Sequence, residues 1–313
     1  MATPVYVFTG FLDSGKTTLI KDTINDKDFM NGIDRVLLLC MEQGETEYDE
    51  KFRDEHHLYV EYFDDIKALT PERLLELDTI YHPSIVMIEW NGTVALNDDL
   101  FMHLPEHMPL VQILSTVDAQ TFELYINAMR SMLYEQLRYS DTVIVNRCKE
   151  DTNVRMLRGN IKAINPTAAI FYEGNYGEPV DLKQGLLPFD IDADVIDVKD
   201  EDYGLWYMDA AENPEKYAGK KVILRGFYAE KLPNYNQTFI LGRKAMVCCE
   251  QDTNLCGITV TGVKIWEMNI NDWVEVEGTL KPLPLENGAE TLVLYASRIA
   301  HYEKPAQEYV TFS

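Results

Sequence analysis

Short apolar runs alternate with longer amphipathic stretches through the first half of the chain. Unbroken runs of this kind are typical of parallel strands that are buried on both faces. Helical spacing follows in 16–28 and 120–139, and Thr70 before Pro71 marks a helix start. This alternation predicts an α/β fold with a doubly wound, mostly parallel sheet. The predicted strands are 4–9, 35–40, 58–63, 84–89, 110–115, 142–146 and 168–172.

The pattern changes after about residue 185. Acidic residues are dense from 190 to 202, which predicts a solvated linker over 185–214. About five or six short strands then follow with turn residues between them, which predicts a small all-β, OB-like barrel. We therefore expect domains at 1–184 and 215–313. The predicted strands of the second domain are 221–228, 237–241, 245–249, 257–260, 273–278 and 291–295.

Composition narrows the classes of function. The 313 residues carry a formal net charge of −24, which would repel nucleic acid, including from an OB-type barrel. No apolar stretch reaches the roughly 20 residues that span a bilayer, and no secretory leader precedes the first strand. Five cysteines, an odd number, favour thiols or metal ligands over disulfides. We expect a cytoplasmic protein without membrane insertion, and its oligomeric state stays open.

Residues 10–17 read Gly-Phe-Leu-Asp-Ser-Gly-Lys-Thr, the full pattern of a phosphate-binding loop. The loop lies between a predicted strand and a predicted helix, so the predicted doubly wound, mostly parallel sheet is that of a P-loop NTPase. In this position its glycines let main-chain N–H groups point at phosphate oxygens. Lys16 would reach the β- and γ-phosphates, and the Thr17 hydroxyl would bind Mg²⁺. The predicted nucleotide-binding residues of the loop are Gly10, Phe11, Leu12, Asp13, Ser14, Gly15, Lys16, Thr17 and Thr18.

Polar residues after other predicted strands complete the candidate site. Glu89 ends one strand, where an acid orients Mg²⁺ or the attacking water, and Gly92 can sense the γ-phosphate through its N–H. A glutamate here can instead cap a helix or pair with a cation. Glu42 lies in an acidic loop able to reach the γ-phosphate or Mg²⁺, and Asn146 and Arg147 lie where a base-recognition loop is expected. The predicted catalytic residues are Lys16, Glu89 and Glu42.

These motifs resemble those of the CobW-type GTPases, relatives of the urease and hydrogenase nickel chaperones. The resemblance covers about residues 3–182 and rests on 9–18, 89–92, 116–122, 135–146 and 165–168. It implies binding of GTP with Mg²⁺ and slow hydrolysis. It also implies that the nucleotide state is coupled to delivery of a metal such as zinc or cobalt to a metalloprotein client.

Three positions depart from the family pattern. Asp13 stands where the family usually has glycine, and its carboxylate would lie beside the phosphates. Lys149 replaces the aspartate of the guanine motif, and lysine offers only donors. Glu150 or Asp151 could substitute by a small shift, so the choice between guanine and adenine stays open. The Cys-x-Cys-Cys metal motif of the family has no counterpart near 55–70. His56 and His57 stand there instead, in a polar segment more typical of a surface.

A cysteine cluster lies in the predicted β domain. Cys248 and Cys249 are followed by Asp252 and Cys256, and thiolates with a nearby carboxylate suit zinc or copper. Neighbouring strand residues point to opposite faces, so Cys248 and Cys249 share one ion only at a bulge or a strand end. One buried cysteine beside an incidental thiol explains these residues equally well.

About residues 215–313 resemble the C-terminal domain of the YcgQ-like proteins, which accompany a predicted permease. The matching elements are 217–220, 225–228, Arg243 with Cys248, Cys249 and Asp252, 272–279 and 308–310. The resemblance implies a link to metal or anion transport, with a membrane permease as a second kind of partner. The whole sequence predicts a GTP-hydrolysing protein that couples nucleotide state to zinc or cobalt delivery. The alternative is a nucleotide sensor with little turnover that regulates a transport partner.

Overall fold

The computed structural model describes residues 2–41, 48–96, 104–180, 187–232, 238–249, 252–262, 268–285 and 290–310. The chain forms two compact units. The first comprises Met1–Thr152 and Ile164–Lys183, and the second comprises Asn153–Ala163 and Gln184–Ser313. The predicted domain boundaries at 184 and 215 stay predictions.

The first unit is built on a parallel sheet. Its strands are β1 (Val5–Thr9), β2 (Val36–Cys40), β3 (Leu58–Tyr62), β4 (Ile85–Glu89), β5 (Leu110–Asp118), β6 (Thr142–Asn146) and β7 (Ala169–Tyr172). They pair in the order β3-β2-β4-β1-β5-β6-β7, and every pairing is parallel. The predicted doubly wound parallel sheet is confirmed.

Apolar cores cover both faces of this sheet. Alternate residues of β2 enter different cores, because successive side chains of a strand point to opposite faces. Leu37 and Leu39 join one core, whereas Val36 and Leu38 join the other together with Ile20 of the helix between β1 and β2. Burial on both faces explains why these strands are unbroken apolar runs.

Helices follow the strands of the first unit. They are α1 (Lys16–Asn25), α2 (Glu50–Glu55), α3 (Pro71–Tyr81), α4 (Phe122–Ala128) and α5 (Arg130–Leu137), with short 3₁₀ turns at Ile66–Ala68 and Asn175–Gly177. Helix α6 (Val154–Ile164) comes after β6 in the chain, and all of it except Ile164 belongs to the second unit. The Thr70 side chain caps α3 as predicted, accepting from the Arg73 N–H at 3.2 Å.

Two helix predictions need correction. The segment 120–139 forms two helices rather than one, because Met129 leaves helical geometry with φ −137° and ψ 36°. Helix α1 ends at Asn25 rather than continuing to Asp28. There Asp26 is extended, and its carboxylate accepts from the N–H groups of Asp28 and Phe29, which forms a turn in place of another helical turn.

The second unit contains a ring of strands. Its elements are β8 (Ile196–Asp197), α7 (Tyr203–Glu212), α8 (Pro214–Tyr217), β9 (Lys221–Lys231), β10 (Phe239–Cys249), β11 (Asp252–Thr261), β12 (Trp273–Pro284), β13 (Glu290–His301) and β14 (Tyr309–Val310). Strands β9, β12, β13, β11 and β10 pair in that order, and β10 pairs again with β9. The small all-β architecture expected for this part is therefore present.

Two other expectations for the second half differ from the structure. The predicted strands 237–241 and 245–249 are parts of one strand, because residues 242–244 continue the ladder with β11. The acidic segment 185–214 contains α7, in which Tyr203 and Trp206 are each 1% exposed and lie in the core. These aromatic side chains bury enough apolar surface to order the segment. The acidic residues before them were the reason for predicting a solvated linker. Among the described helices, none combines the length and apolar character needed to span a bilayer.

Candidate functional site

The candidate site lies at one edge of the parallel sheet. Strand β1 is central, between β4 and β5, and the carboxyl ends of all the strands meet at the same edge. The loop 10–15 follows β1, Glu89 ends β4, and Asn146 ends β6. The structure therefore brings together residues that the sequence predicted from separate strand ends.

The two glycines of the loop are required by its geometry. Gly10 has φ 144° and Gly15 has φ 102°, both in the region that favours glycine. A Cβ on Gly10 would lie 2.5 Å from the Oγ of Ser14 and 2.6 Å from the main-chain oxygen of Thr116. Gly15 is the N-cap of α1, whose first N–H groups lack partners within the helix. This combination of a tight curl and a helix N-terminus is suited to phosphate.

The ammonium group of Lys16 lies inside the curl of the loop. Lys16 is 3% exposed, and its Nζ donates to the main-chain oxygens of Gly10 and Phe11 at 2.9 Å each. A buried charge needs such partners, because losing hydration without replacement is costly. The loop thus presents a positive charge in its centre, where the sequence placed it.

Glu89 is the centre of a buried hydrogen-bond network. It is 4% exposed, and its Oε1 accepts from the Thr17 hydroxyl at 2.6 Å. Its Oε2 accepts from the Tyr48 hydroxyl at 2.8 Å and lies 3.7 Å from the Cys40 Sγ. Burial, and after it the charge of Glu89, raises the pKa of Tyr48 far above its usual value, so the phenol stays a donor. Glu89 is thus tied to the phosphate loop rather than capping a helix.

Tyr48 and Cys40 were not predicted as partners of Glu89. Cys40 ends β2 directly opposite Glu89 in the parallel register, but that pairing exists only once the strand order is known. Thr17 and Glu89 together offer the hydroxyl and carboxylate oxygens that Mg²⁺ prefers, so the residues fit the predicted ion. Glu42, predicted to be catalytic and to bind Mg²⁺, lies outside the described residues.

Gly92 packs directly on the phosphate loop. A Cβ at this position would lie 2.1 Å from the main-chain oxygen of Gly10, closer than any real contact. The Gln136 side chain, which is 2% exposed, donates to the main-chain oxygen of Gly92 and fixes the segment from the other side. The segment after β4 is therefore in main-chain contact with the first residue of the loop.

Asp13 and Leu12 form the exposed tip of the loop. Asp13 has φ 60°, a left-handed conformation in a position where the family has glycine. Leu12 is 53% exposed, whereas Phe11 packs on Tyr125 with 4.7 Å between ring centroids. A cavity of about 140 Å³ lies beside these residues. The Asp13 carboxylate is thus exposed at the phosphate loop, as the sequence suggested.

Asn146 and Arg147 lie on the other side of the loop. The Asn146 Nδ2 donates to the main-chain oxygen of Ser14 at 2.6 Å, and its Oδ1 is buried without a hydrogen-bond partner in the described chain. Arg147 has φ 53°, and its guanidinium is paired with Asp118 at 2.6 Å. The sequence analysis gave Asp118 no role, although it ends β5 opposite Asn146 in the parallel register.

A larger cavity of about 570 Å³ adjoins this side of the loop. Ligand sites are commonly about 300–1,000 Å³, so it is large enough for a small organic ligand. Gly15, Thr18, Asp22, Asn146 and Glu173 contribute to its walls. Burial, and after it the charge of Asp22, raises the pKa of Glu173. The predicted nucleotide residue Thr18 therefore lies in this cavity.

The cysteine cluster of the second unit is only partly described. The main chain of Cys249 lies opposite Asp252, with a register shift between Met246 and Cys249, but the side chains of Cys248 and Cys249 lie outside the described residues. Cys256 is 7% exposed in the core. It lies four residues along β11 from Asp252, a separation of about 13 Å at the usual strand rise.

Two further observations concern metal ligands. Within the described ranges, three or more His, Cys, Asp or Glu side chains nowhere come together as a metal site. His56 and His57 precede β3, so they lie at the amino ends of the strands, at the opposite edge from the phosphate loop. Cys256 therefore lies along β11 from Asp252 in the second unit, and the histidine pair lies in the first unit at the edge of the sheet away from the phosphate loop.

Comparison with known families matches both halves of the chain. The family described as CobW/HypB/UreG, nucleotide-binding domain, matches residues 4–172. The DUF1980 C-terminal domain matches residues 183–311. The resemblances drawn from the motifs are thereby confirmed for the two halves. No curated protein matches the chain closely enough to count as a relative.

Two solved structures show partial similarity to this chain. The hydrogenase maturation factor HypB from Archaeoglobus fulgidus is 20% identical, with 55% of this chain and 81% of that chain covered and a TM-score of 0.42. The Zn(II)-bound YjiA GTPase from E. coli is 16% identical, with 97% and 92% covered and a TM-score of 0.44. Scores of this size support no conclusion about activity.

Proposed function

Because the chain belongs to the CobW/HypB/UreG family of nucleotide-binding domains through residues 4–172, we propose that it binds and hydrolyses GTP with Mg²⁺. One observation carries the proposal. The Lys16 ammonium is held inside a loop in which Gly10 cannot carry a side chain. A loop with this shape and charge at a helix N-terminus is complementary to a triphosphate.

Each residue of the site has a role that follows from its position. The loop N–H groups and Lys16 bind phosphate oxygens and stabilise the negative charge that develops during transfer. Thr17 and Glu89 would hold Mg²⁺, which neutralises charge on the β- and γ-phosphates. Glu89 already fixes the Thr17 hydroxyl at 2.6 Å, so the first turn of α1 is oriented before nucleotide binds. Gly92 places its segment against the loop.

The test is Lys16→Ala compared with Lys27→Ala. Lys27 follows α1 outside the loop, so its loss changes the net charge equally without touching the phosphates. We expect Lys16→Ala to reduce phosphate release from GTP to background and Lys27→Ala to leave it unchanged. Undiminished turnover in Lys16→Ala would disprove the proposed hydrolysis.

A nucleotide sensor with little turnover is the second candidate. Asp13 favours it, because an exposed carboxylate in the phosphate loop repels the charge that builds up on the phosphates. Measuring the affinity for GTP and the multiple-turnover rate on the same protein separates the two. Tight binding with a rate near that of uncatalysed hydrolysis would favour the sensor, which would then regulate a transport partner such as a permease.

Coupling to zinc or cobalt delivery is a further part of the proposal. Its support is the β10–β11 hairpin, where the main chain of Cys249 lies opposite Asp252 beside a register shift. Such a bulge is what Cys248 and Cys249 need in order to face one ion. Zinc titration should show one site fewer in a Cys248→Ser, Cys249→Ser double variant and an unchanged number in Cys256→Ala. Equal stoichiometry in the double variant would remove this site from the proposal.

A further inference from the structure

Two described cavities adjoin the phosphate loop, and they differ in size. The one beside Phe11 and Tyr125 has a volume of about 140 Å³, and the one beside Asn146 has about 570 Å³. Only the second falls within the range of about 300–1,000 Å³ that ligand pockets commonly have. Given the proposed function, a triphosphate in the loop therefore places its nucleoside in the larger cavity.

The segment expected to read the base does not supply a carboxylate acceptor there. The Lys149 ammonium lies 3.3 Å from the Gln120 Oε1, and ammonium groups only donate. Glu150 and Asp151, which follow it, are exposed, and neither contributes to the cavity wall. The turn is closed by two bonds between Lys149 and Thr152, which hold these acids in place.

Glu173 brings a carboxylate to the same cavity from the neighbouring strand end. It follows β7, and its N–H donates to the Val145 oxygen at 2.8 Å. Its own main-chain oxygen accepts from the Cys148 N–H at 2.9 Å. The main chain of Glu173 is thus held by residues before and after Asn146. The side chains of Asn146 and Glu173 both line the cavity.

The surroundings of the Glu173 carboxylate leave its oxygens available to a ligand. It is half-buried, and no side chain of the described residues donates a hydrogen bond to it. Burial is the larger cause of its raised pKa, and the negative charge of Asp22 on α1 raises that pKa further. A partly desolvated acid without a cationic partner gains most from a ligand that offers N–H donors.

We propose that Glu173 selects guanine by accepting hydrogen bonds from its N1–H and N2–H₂ groups. A carboxylate has two acceptor oxygens, which match two adjacent donors. Adenine instead presents an N1 acceptor next to a single amino donor, so a carboxylate facing it would leave one oxygen opposed to a lone pair. Glu173 therefore supplies the acceptor that Lys149 cannot.

The test is a comparison of nucleotide selectivity by calorimetry, with Mg²⁺ present and GTP, ITP and ATP as ligands. ITP lacks the N2 amino group, so it isolates one of the two bonds. The wild-type protein should bind GTP more tightly than ITP and ATP. Glu173→Gln should weaken GTP binding about 10- to 100-fold, the range for hydrogen bonds to a charged group, and should leave ATP binding unchanged or stronger.

Asp22→Asn is the matched control, because it removes the same charge from the same cavity. Asp22→Asn should change the affinities for GTP and ATP by the same factor. If Glu173 acted only through its charge, Glu173→Gln would have this same effect. Lys149→Ala should leave the GTP-to-ATP ratio unchanged. Glu173→Asp keeps the carboxylate and should retain a preference for GTP, and thermal unfolding checks that each variant is folded.

The outcomes are distinct. An unchanged GTP-to-ATP ratio in Glu173→Gln, or a larger change of that ratio in Lys149→Ala, would overturn the assignment while leaving GTP binding itself intact. A wild-type preference for ATP would also overturn it. Failure of the wild-type protein to bind any of the three nucleotides would instead refute the proposed function, and the assignment with it.

Discussion

Thr17 donates a hydrogen bond of 2.6 Å to Glu89, joining the first turn of α1 to the end of β4. The two residues are 72 positions apart in sequence, yet each lies beside the phosphate loop. The second oxygen of the same carboxylate is occupied by the Tyr48 hydroxyl. Glu89 thus orients one candidate Mg²⁺ ligand and holds the Tyr48 hydroxyl.

Glu89→Gln should show whether hydrolysis depends on the charge of this carboxylate, because glutamine has nearly the same size and shape. The amide keeps the shape but loses the charge and one acceptor, so a buried donor loses its partner at a cost of about 1–3 kcal/mol. We expect GTP hydrolysis to fall by at least about 10-fold, with a smaller loss in nucleotide affinity. Tyr48→Phe, which keeps the acid, should retain hydrolysis within a few-fold. Phosphate release and urea unfolding measure both effects, and a wild-type rate in Glu89→Gln would contradict the assigned role.

Gly92→Ala should disrupt the phosphate loop without altering any charge. Its Cβ would lie 2.1 Å from the Gly10 oxygen, so the loop must move. We expect at least about a 10-fold loss of GTP affinity, measured by calorimetry, since shape complementarity of main-chain groups is lost. Gly32→Ala is the control, because its Cβ meets nothing within 4 Å although φ is +82°. That variant should lose stability alone. Equal affinities in the two variants would argue against the contact.

Asp13→Gly should strengthen nucleotide binding. Glycine adopts φ 60° without strain, and its introduction removes a negative charge beside the phosphates. We expect affinity for GTP to rise about 3- to 10-fold at low salt and the gain to shrink as ionic strength rises. Asp13→Asn removes the charge while keeping a side chain that tolerates this conformation. Similar gains in both variants would assign the effect to charge, whereas weaker binding in either would show that the carboxylate contributes.

Cys256 should be unreactive in the folded protein. Burial raises the pKa of its thiol to about 12, so very little thiolate exists at pH 8. Iodoacetamide at that pH should leave Cys256 unlabelled until urea is added, as read by peptide mass spectrometry. Rapid labelling without urea would place the thiol outside the core.

The same raised pKa predicts a loss of stability at alkaline pH. The unfolded thiol ionises first, at about pH 8.5–9, while the folded thiol stays protonated. The unfolded state therefore binds fewer protons above that pH, and the free energy of unfolding should fall by up to about 1.4 kcal/mol per pH unit between about pH 9 and 12 from this group. Cys256→Ala should show a shallower decline. An identical slope in the variant would exclude this thiol as a contributor.

Much of the first unit could be predicted from local sequence. Strands such as β2 and β4 are unbroken apolar runs, because both faces of each strand are buried. The phosphate loop was predictable because its residues are contiguous, and Glu89 and Asn146 because parallel strand ends meet at one edge. These inferences need only short segments and one topological rule.

Other features depend on contacts between distant segments. Tyr48 and Cys40 meet Glu89 only because β2 and β4 are neighbours in the sheet. Glu173 reaches the cavity beside Asn146 for the same reason, through β6 and β7. The interruption of the helix at Met129 could not be predicted, because no glycine or proline marks it in the sequence. Sequence patterns describe faces and periods, whereas strand order decides which side chains become neighbours.

The approach of Gly92 to Gly10 has a consequence for how this protein can be altered. Where backbone meets backbone, no intervening side chain can repack to absorb a displacement. The segment after β4 and the first residue of the phosphate loop therefore move together as a rigid unit. Leu12 and Asp13 lie at the exposed tip of the loop and take no part in this contact. A library of variants randomised at these two positions can therefore change ligand preference while every variant keeps the contact between Gly92 and Gly10.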